Sequence, residues 1–491
     1  MRVLKDRTIV FRSEERRPFR VRSLDASTAL VVSDTGDYVY LDGDHLDGLL
    51  ADPSNLPRER LAELKSKFIV VDPEAKGVSR LRRSRIATKR ETLLGGPSLH
   101  IVVPSLQCAH SCPYCQVSRS LAADGFTMSM EDLDRCCEVI FQSPSPTLTV
   151  EFQGGDPLLR FDLLQRAIER ITAINSCEKR TVRFVVASTL HQLDADMCRF
   201  FRAHHVYLST SIDGPEWLHD RNRPIPTRDA WRRTVAGIEM ARSLVSPDAV
   251  AALMTTTRES LSCPDEIVDA YVALGLREIF IRPLAGFGFA RRAEARVGYS
   301  TSEFLAFYEK ALSRVLYWNQ CGYELREVAA AIALNKMLSP FDAGYVDLQT
   351  PTGAGLAVLV YNYDGYVYPS DESRMLAESG DRSLRLGRIG ESLEALLGSE
   401  VLRNLIAASW SADAPDCRDC AYNPYCGPDP VAAHAEFGQW AVPAHRTGHC
   451  RRQIGLFDLL FEKLRLGDAW FENLAHRWAQ PVRTDRWCED A

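Results

Sequence analysis

The residues best suited to chemistry are three cysteines in PSLQCAHSCPYCQVSR, residues 104–119: Cys108, Cys112 and Cys115. Three thiolates can hold three irons of a four-iron, four-sulfur cube and leave the fourth iron open to a small ligand. Zinc in a structural site wants four protein ligands, and His110 could serve as the fourth. A second group offers four thiolates, Cys417, Cys420 and Cys426 in CRDCAYNPYC and Cys450 in GHC. Four can close a metal site completely, as an iron–sulfur cluster or as zinc, and spacing alone does not choose between them. A third stretch, EFQGGDP, carries Gly154, Gly155, Asp156 and Pro157. Paired glycines let a backbone come close to a ligand, and an acidic group there could hold an ammonium. A plain turn between strand and helix is the simpler reading of that stretch taken alone. Cys136, Cys137, Cys177, Cys198, Cys263, Cys321 and Cys488 have no ligand-like grouping and read as small buried hydrophobes.

These groups must be positioned by regular elements, and apolar periodicity locates them. From residue 98 onward, apolar runs alternate with amphipathic segments. Strands are expected at about 98–103, 147–153, 181–187, 205–211, 248–256 and 278–283, with helical patterns such as SMEDLDRCCEVIFQ and FDLLQRAIERITAI between them. Parallel strands need covering crossovers, so the pattern implies an α/β fold, either a doubly wound sheet or a partial barrel, with its site at the C-terminal strand ends. The cysteine loop and the Gly-Gly-Asp-Pro turn both fall there. Residues 1–75 read as a small α+β domain, because TALVVSDTGDYVYLD has the pattern of a hairpin followed by short helices. Residues 76–96 are basic and read as a linker, 97–298 as the barrel, 299–345 as a helical connector and 346–491 as a C-terminal cysteine domain opening on a hairpin broken at Asp364-Gly365.

Composition narrows the class of function. The chain has 491 residues, 46% hydrophobic and 25% charged, with 59 basic against 65 acidic side chains. A net charge of −6 gives no broad nucleic-acid surface, and no nucleic-acid partner is expected. No apolar window reaches membrane-spanning length and the N-terminus lacks a signal-peptide core, so a cytoplasmic protein is expected. In that compartment thiols stay reduced, and clustered cysteines point to metal or catalysis.

The spacing of Cys108, Cys112 and Cys115, with Tyr114 before the last, resembles the signature of the radical S-adenosylmethionine (radical SAM) enzymes. That resemblance implies a partial (β/α)6 barrel, a [4Fe-4S] cluster, and S-adenosylmethionine chelated to the open iron. The family commonly has Gly-Gly-Glu-Pro where this chain has Gly154, Gly155, Asp156 and Pro157, to bind the methionine amine; Asp156 shortens the reach by one methylene. Ser188 and Ser211, at strand ends, are then candidates to meet the ribose, Arg223 to pair with the methionine carboxylate, and Tyr114 to belong to the cofactor site.

The C-terminal cysteines are similar to the SPASM extension of peptide-modifying members, which usually holds two auxiliary clusters. Ser370 stands where one expected cysteine would be, so the resemblance implies one auxiliary [4Fe-4S] cluster on Cys417, Cys420, Cys426 and Cys450, with zinc the alternative. In related sulfatase-maturing enzymes an Asp after that cysteine is the base that removes a substrate proton, which makes Asp371, or Glu372, a candidate base. The tyrosine-rich strand and SDESRMLAE make the chain similar to the His-Xaa-Ser system radical SAM maturase family HxsB. That family implies a ribosomally made precursor peptide with His-Xaa-Ser repeats, a second radical maturase, HxsC, an electron donor such as flavodoxin or ferredoxin, and peptide engagement by residues 1–75. A formylglycine-forming sulfatase maturase, a zinc-stabilised scaffold and an RNA-modifying radical enzyme are the rival readings.

Overall fold

A computed structural model describes residues 18–72, 75–122 and 124–480; Cys488 lies outside the described residues. The chain divides into two compact units. One gathers the chain up to Leu94, Ala330–Gly353 and the stretch from Ile406; the other holds Gly95–Ala329 and Ala354–Leu405.

In the first unit, strand alternation sets the layout. Phe19 and Val21 of β1 (Phe19–Ser23) are buried, while Arg20 and Arg22 between them are only partly so. β1 pairs antiparallel with β2 (Thr28–Ser33), and β2 with β3 (Tyr38–Asp42), giving the expected hairpin. Gly36 turns it with a φ of +82°, a conformation only glycine adopts freely. Leu46 and Leu49 of helix Gly43–Ala51 and Leu64 of helix Arg58–Ser66 close a small core against Phe19, Val31 and Leu41. The basic stretch is not an extended connector: Val78–Thr88 is helical. Its charges find local partners, Arg82 with Asp34 and Arg85 with Asp37 at the hairpin turn. Partly exposed pairs of this kind contribute about 0–1 kcal/mol each.

The second unit holds the six strands expected from the sequence: β4 (Leu99–Ser105), β5 (Thr147–Gly154), β6 (Thr181–Ala187), β7 (Val206–Ser211), β8 (Val250–Thr255) and β9 (Glu278–Arg282). All are parallel and stand side by side in chain order. A doubly wound sheet reverses direction at a switch point, and this one does not. Of the two architectures left open by the sequence, the partial barrel is the one formed. Helices Met130–Ile140, Phe161–Glu178, Ala195–Ala203, Ala230–Leu244 and Pro264–Ala273 supply the crossovers, the first capped by Ser129 and the third by Asp194.

Four short strands extend the sheet at its two edges. β10 (Arg326–Glu327) joins β9 in parallel, and β11 (Val358–Tyr361) lies parallel to β4. β12 (Tyr366–Tyr368) and β13 (Gly387–Arg388) follow antiparallel. The hairpin of β11 and β12 was expected; its addition to the barrel sheet was not.

Burial separates the two faces of the sheet. Along β5 to β9 alternate residues are fully buried, and those between them are mostly half-buried. Register places Ile101, Glu151, Val185 and Tyr207 on one face, and Thr255 beside Arg282. The less covered face therefore carries polar groups, which suits a barrel that takes a ligand rather than one filled by its own side chains.

Candidate active site

The cysteine loop leaves the C-terminal end of β4, and backbone hydrogen bonds fix it on three sides. Cys108 N–H donates to Ser120 O at 2.9 Å, Asp156 N–H to Gln107 O at 2.7 Å, and Phe289 N–H to Cys115 O at 2.9 Å. Gly154 and Gly155 make the middle contact possible. Gly154 has a φ of +125°, and a Cβ on either residue would overlap carbonyl oxygens of Ser105, Leu106 or Gln107. The paired glycines thus seat the cysteine loop itself; close approach to a ligand was the expectation, and the approaching group is backbone. The His110 N–H lies 3.5 Å from Cys108 Sγ, a donor suited to a thiolate.

Cys108 and Cys112 are buried and Cys115 is half-buried. Burial pushes the Cys108 thiol up to about 12. It pushes Cys112 up as well, against the pull of Arg223. Thiolates there need nearby positive charge, which metal binding supplies as it displaces the protons. Among the described residues no group of three or more His, Cys, Asp and Glu side chains is placed to hold a single metal ion. A cube binds each thiolate on a separate iron and so suits a wider set. His110 turns instead to His191, with Nε2 3.3 Å from Nδ1. Burial first, then His191, lowers the His110 imidazole to about 3.

Asp156 is buried at the start of the turn after β5. Its carboxylate accepts from Ser188 Oγ at 2.6 Å, from Thr189 Oγ1, and from Leu158 N at 3.3 Å. A carboxylate offers about four lone-pair sites, so one remains for a further donor. Ser188 is thereby tied to Asp156, while Ser211 ends β7 half-buried. Pro157 opens the short turn of helix that Asp156 caps.

Tyr114 and Arg223 converge on Asp213, a residue the sequence reading missed. Asp213 is 0% exposed. It accepts from Tyr114 Oη, from Arg223 Nε at 3.1 Å and from Arg223 Nη2 at 3.3 Å. Arg223 also lies 5.3 Å from the Tyr114 ring centre. Burial alone would lower the Arg223 guanidinium, but Asp213 and Tyr114 hold it above its ordinary value. One edge of the guanidinium is therefore taken by the protein's own carboxylate. The signal for Asp213 was present, since it lies two residues past β7, at the strand end where such sites lie.

Asp371 opens helix Asp371–Glu378, with Glu372 in the same first turn. Ser370 caps that helix by accepting from Ser373 N. Asp371 pairs with Arg374, which is 0% exposed, at 2.8 Å from Nε. Glu151, on the less covered face of β5, is bonded by Gln153 at 2.8 Å. Its carboxyl is raised by burial and by the charge of Asp371, with Arg282 opposing. Asp371 and Arg282 thus both act on Glu151, and neither Glu151 nor Arg282 was anticipated from sequence.

The four C-terminal cysteines belong to the first unit. Cys417 sits in the short helix Pro415–Arg418, and Cys420 N–H bonds back to Cys417 O at 3.1 Å. Cys450 lies in the first turn of helix Gly448–Arg465, capped by Thr447, where the helix dipole favours a thiolate. Burial pushes Cys417 up to about 12 and Cys450 to about 11, and raises Cys426 well above its usual range; in each case neighbouring cysteines add to the effect. The four thiols therefore stand within electrostatic reach of one another. Of the remaining cysteines, Cys136, Cys137, Cys198 and Cys263 are buried as expected, whereas Cys177 and Cys321 are exposed.

Residues 102–271 match the Radical SAM superfamily model. That stretch is similar to a radical SAM domain. The matched span runs from β4 through the last crossover helix and includes the cysteine loop, the Gly-Gly-Asp-Pro turn and Asp213. An uncharacterized protein of Methanothermobacter thermautotrophicus is 25% identical over 181 residues, 36% of this chain and 64% of that protein. The chain thus covers less than two thirds of that relative. Another, of Archaeoglobus fulgidus, is 24% identical over 68% of this chain and 74% of its own length. Among solved structures, native anSMEcpe with bound AdoMet and Kp18Cys peptide aligns with a TM-score of 0.65 at 16% identity, over 78% of this chain and 100% of that one. Streptococcus suis SuiB bound to S-adenosylmethionine aligns with a TM-score of 0.52 at 12% identity, over 89% and 99%. At such identities these structures speak to the radical SAM fold alone. No helix among the described residues is long and apolar enough to cross a membrane.

Proposed function

We propose that this chain is a radical SAM peptide maturase of the HxsB type, which oxidatively modifies a ribosomally made precursor with His-Xaa-Ser repeats. The observation that carries the reading is the cysteine loop, seated on the Gly154-Gly155 turn at the C-terminal end of a barrel whose less covered face is polar. S-adenosylmethionine bound there with a four-iron cluster supplies a carbon radical that abstracts hydrogen. Cys108, Cys112 and Cys115 would hold that cluster. Asp156, with its remaining lone pair, would take the methionine ammonium, and Ser211 lies at a strand end within the same rim. Tyr114 and Asp213 hold Arg223 in place at the edge of this site.

The peptide would lie along the less covered face, where Glu151, Arg282 and Asp371 offer charge. Asp371 or Glu372 would take the substrate proton. Solved structures of anSMEcpe with a Kp18Cys peptide and of SuiB with its precursor SuiA are those of fold neighbours that bind peptides, which supports a peptide substrate here. The three-stranded sheet of residues 19–42 would be the element that engages the peptide. HxsC and a flavodoxin or ferredoxin are the expected partners, in the cytoplasm.

Cys417, Cys420, Cys426 and Cys450 are assigned to one auxiliary four-iron cluster: the mutual proximity of the thiols supports a shared site, and the likeness to the SPASM extension supports iron–sulfur over zinc. The test is anaerobic reconstitution with reductant and S-adenosylmethionine, with and without a His-Xaa-Ser peptide. The expected result is about eight irons per chain, release of 5′-deoxyadenosine, and a peptide lighter by a pair of hydrogens. Formylglycine on a sulfatase peptide, with the His-Xaa-Ser peptide untouched, would replace this reading with the sulfatase-type one. Zinc without iron would end both.

A further inference from the structure

The alternation of β1 has a consequence for the second cysteine group. Phe19 and Val21 belong to the small core, so Arg20 and Arg22 lie on the other face of the strand. Both reach the C-terminal cysteine segment within the first unit. Arg22 is neutralised there: Nε and Nη2 each bond Asp458 at 2.5 Å, and Asp458 also accepts from Tyr422 Oη. Arg20 is not matched in this way. Its Nε donates to Arg418 O at 2.6 Å, between Cys417 and Cys420. Its Nη1 is buried with no hydrogen-bond partner. A buried guanidinium N–H left unpaired is costly unless an acceptor is supplied. The contact of Nε with the Arg418 carbonyl sets the guanidinium against the Cys417–Cys420 turn, so ligand sulfur is the acceptor at hand, the Asp419 carboxylate being already paired with Arg418.

We propose that Arg20 is a positioning residue for the auxiliary cluster, donating from Nη1 to the sulfur of the Cys420 ligand and raising the cluster's reduction potential. Hydrogen bonds to cluster sulfurs and positive charge nearby both favour the reduced, more negative cluster. The small N-terminal domain would then do more than engage peptide, since one of its strands sets the electron affinity of a metal site in the C-terminal segment. The inference rests on reading Cys417, Cys420, Cys426 and Cys450 as iron–sulfur ligands.

The experiment is an EPR-monitored redox titration of the full-length holoprotein, preceded by iron and zinc analysis, for the parent chain, Arg20→Gln, Arg20→Lys and the double variant Arg22→Gln with Asp458→Asn. The expected result is a shift of the auxiliary potential to more negative values in Arg20→Gln, a smaller shift in Arg20→Lys, and an unchanged potential for the cluster on Cys108, Cys112 and Cys115. Arg22→Gln combined with Asp458→Asn removes a neutral pair and should shift the auxiliary potential less than Arg20→Gln. Full iron with an unmoved auxiliary potential in Arg20→Gln overturns the role of Arg20 and leaves the iron–sulfur assignment standing. Loss of auxiliary iron in both Arg20 variants also overturns it, as the residue would then serve folding alone. Zinc in place of auxiliary iron in the parent chain removes the assignment itself, and this inference with it.

Discussion

At the scale of single residues, the site depends on charges that are each matched by one neighbour. Cys112→Ala should remove about four irons per chain and abolish 5′-deoxyadenosine formation, which iron analysis and chromatography would read. Asp371 carries a double burden. Arg374 beside it is fully buried, and removing the carboxylate strands that charge at a cost of about 3–5 kcal/mol. Asp371→Ala should therefore lower the urea midpoint sharply. Asp371→Asn retains an acceptor for Arg374 and should cost less. If Asp371 is the base, Asp371→Asn will still cleave S-adenosylmethionine but leave the peptide unmodified. The proximity of Cys108, Cys112 and Cys115 could be anticipated from spacing alone, because residues so close in sequence must be close in space. Asp213, Glu151 and Arg282 were not, since each acquires its place only when separate strands come into register.

At the scale of elements, six strands and five crossovers could be read from periodicity because every strand has one face against a helix. Strand order could not, because alternation records burial and not neighbours. The helix at Val78–Thr88 was missed for a related reason: a run of arginines looks solvated until Asp34 and Asp37 are seen opposite it. The join between β4 and β11 creates a buried histidine, His100, with Nδ1 3.2 Å from Tyr361 Oη and Nε2 3.2 Å from Pro97 O. Burial lowers its imidazole to about 4. The unfolded chain would bind a proton near pH 6.5, so this group's contribution is complete above that pH and is lost as pH falls toward about 4. The loss is about 3 kcal/mol at most, and urea midpoints at pH 7 and pH 5 should show it. His100→Phe should flatten the difference. At the head of β5, Gly155→Ala should displace the cysteine loop and deplete iron at the first site while leaving the auxiliary iron in place, separable by EPR.

At the scale of the molecule, the first unit gathers distant parts of the chain: the part up to Leu94, Ala330–Gly353 and the stretch from Ile406. Tyr425 Oη donates to Gly36 O at 2.8 Å, Tyr40 Oη to Phe461 O at 2.9 Å, and Tyr38 packs edge-on against Phe461 at 5.0 Å. Tyr425→Phe leaves the Gly36 carbonyl buried without its donor and should cost about 1–3 kcal/mol, measurable as a lower denaturant midpoint for this unit. The Arg22–Asp458 pair joins positions 436 residues apart. Translation at about 5–20 residues per second places roughly 20–90 seconds between the two ends of that contact leaving the ribosome. The barrel strands, each next to its predecessor, can assemble as they emerge. The N-terminal sheet instead must wait with Tyr38, Tyr40 and its arginine face uncovered until the helix Gly448–Arg465 is made, so the nascent chain carries that sticky surface through the synthesis of the whole barrel.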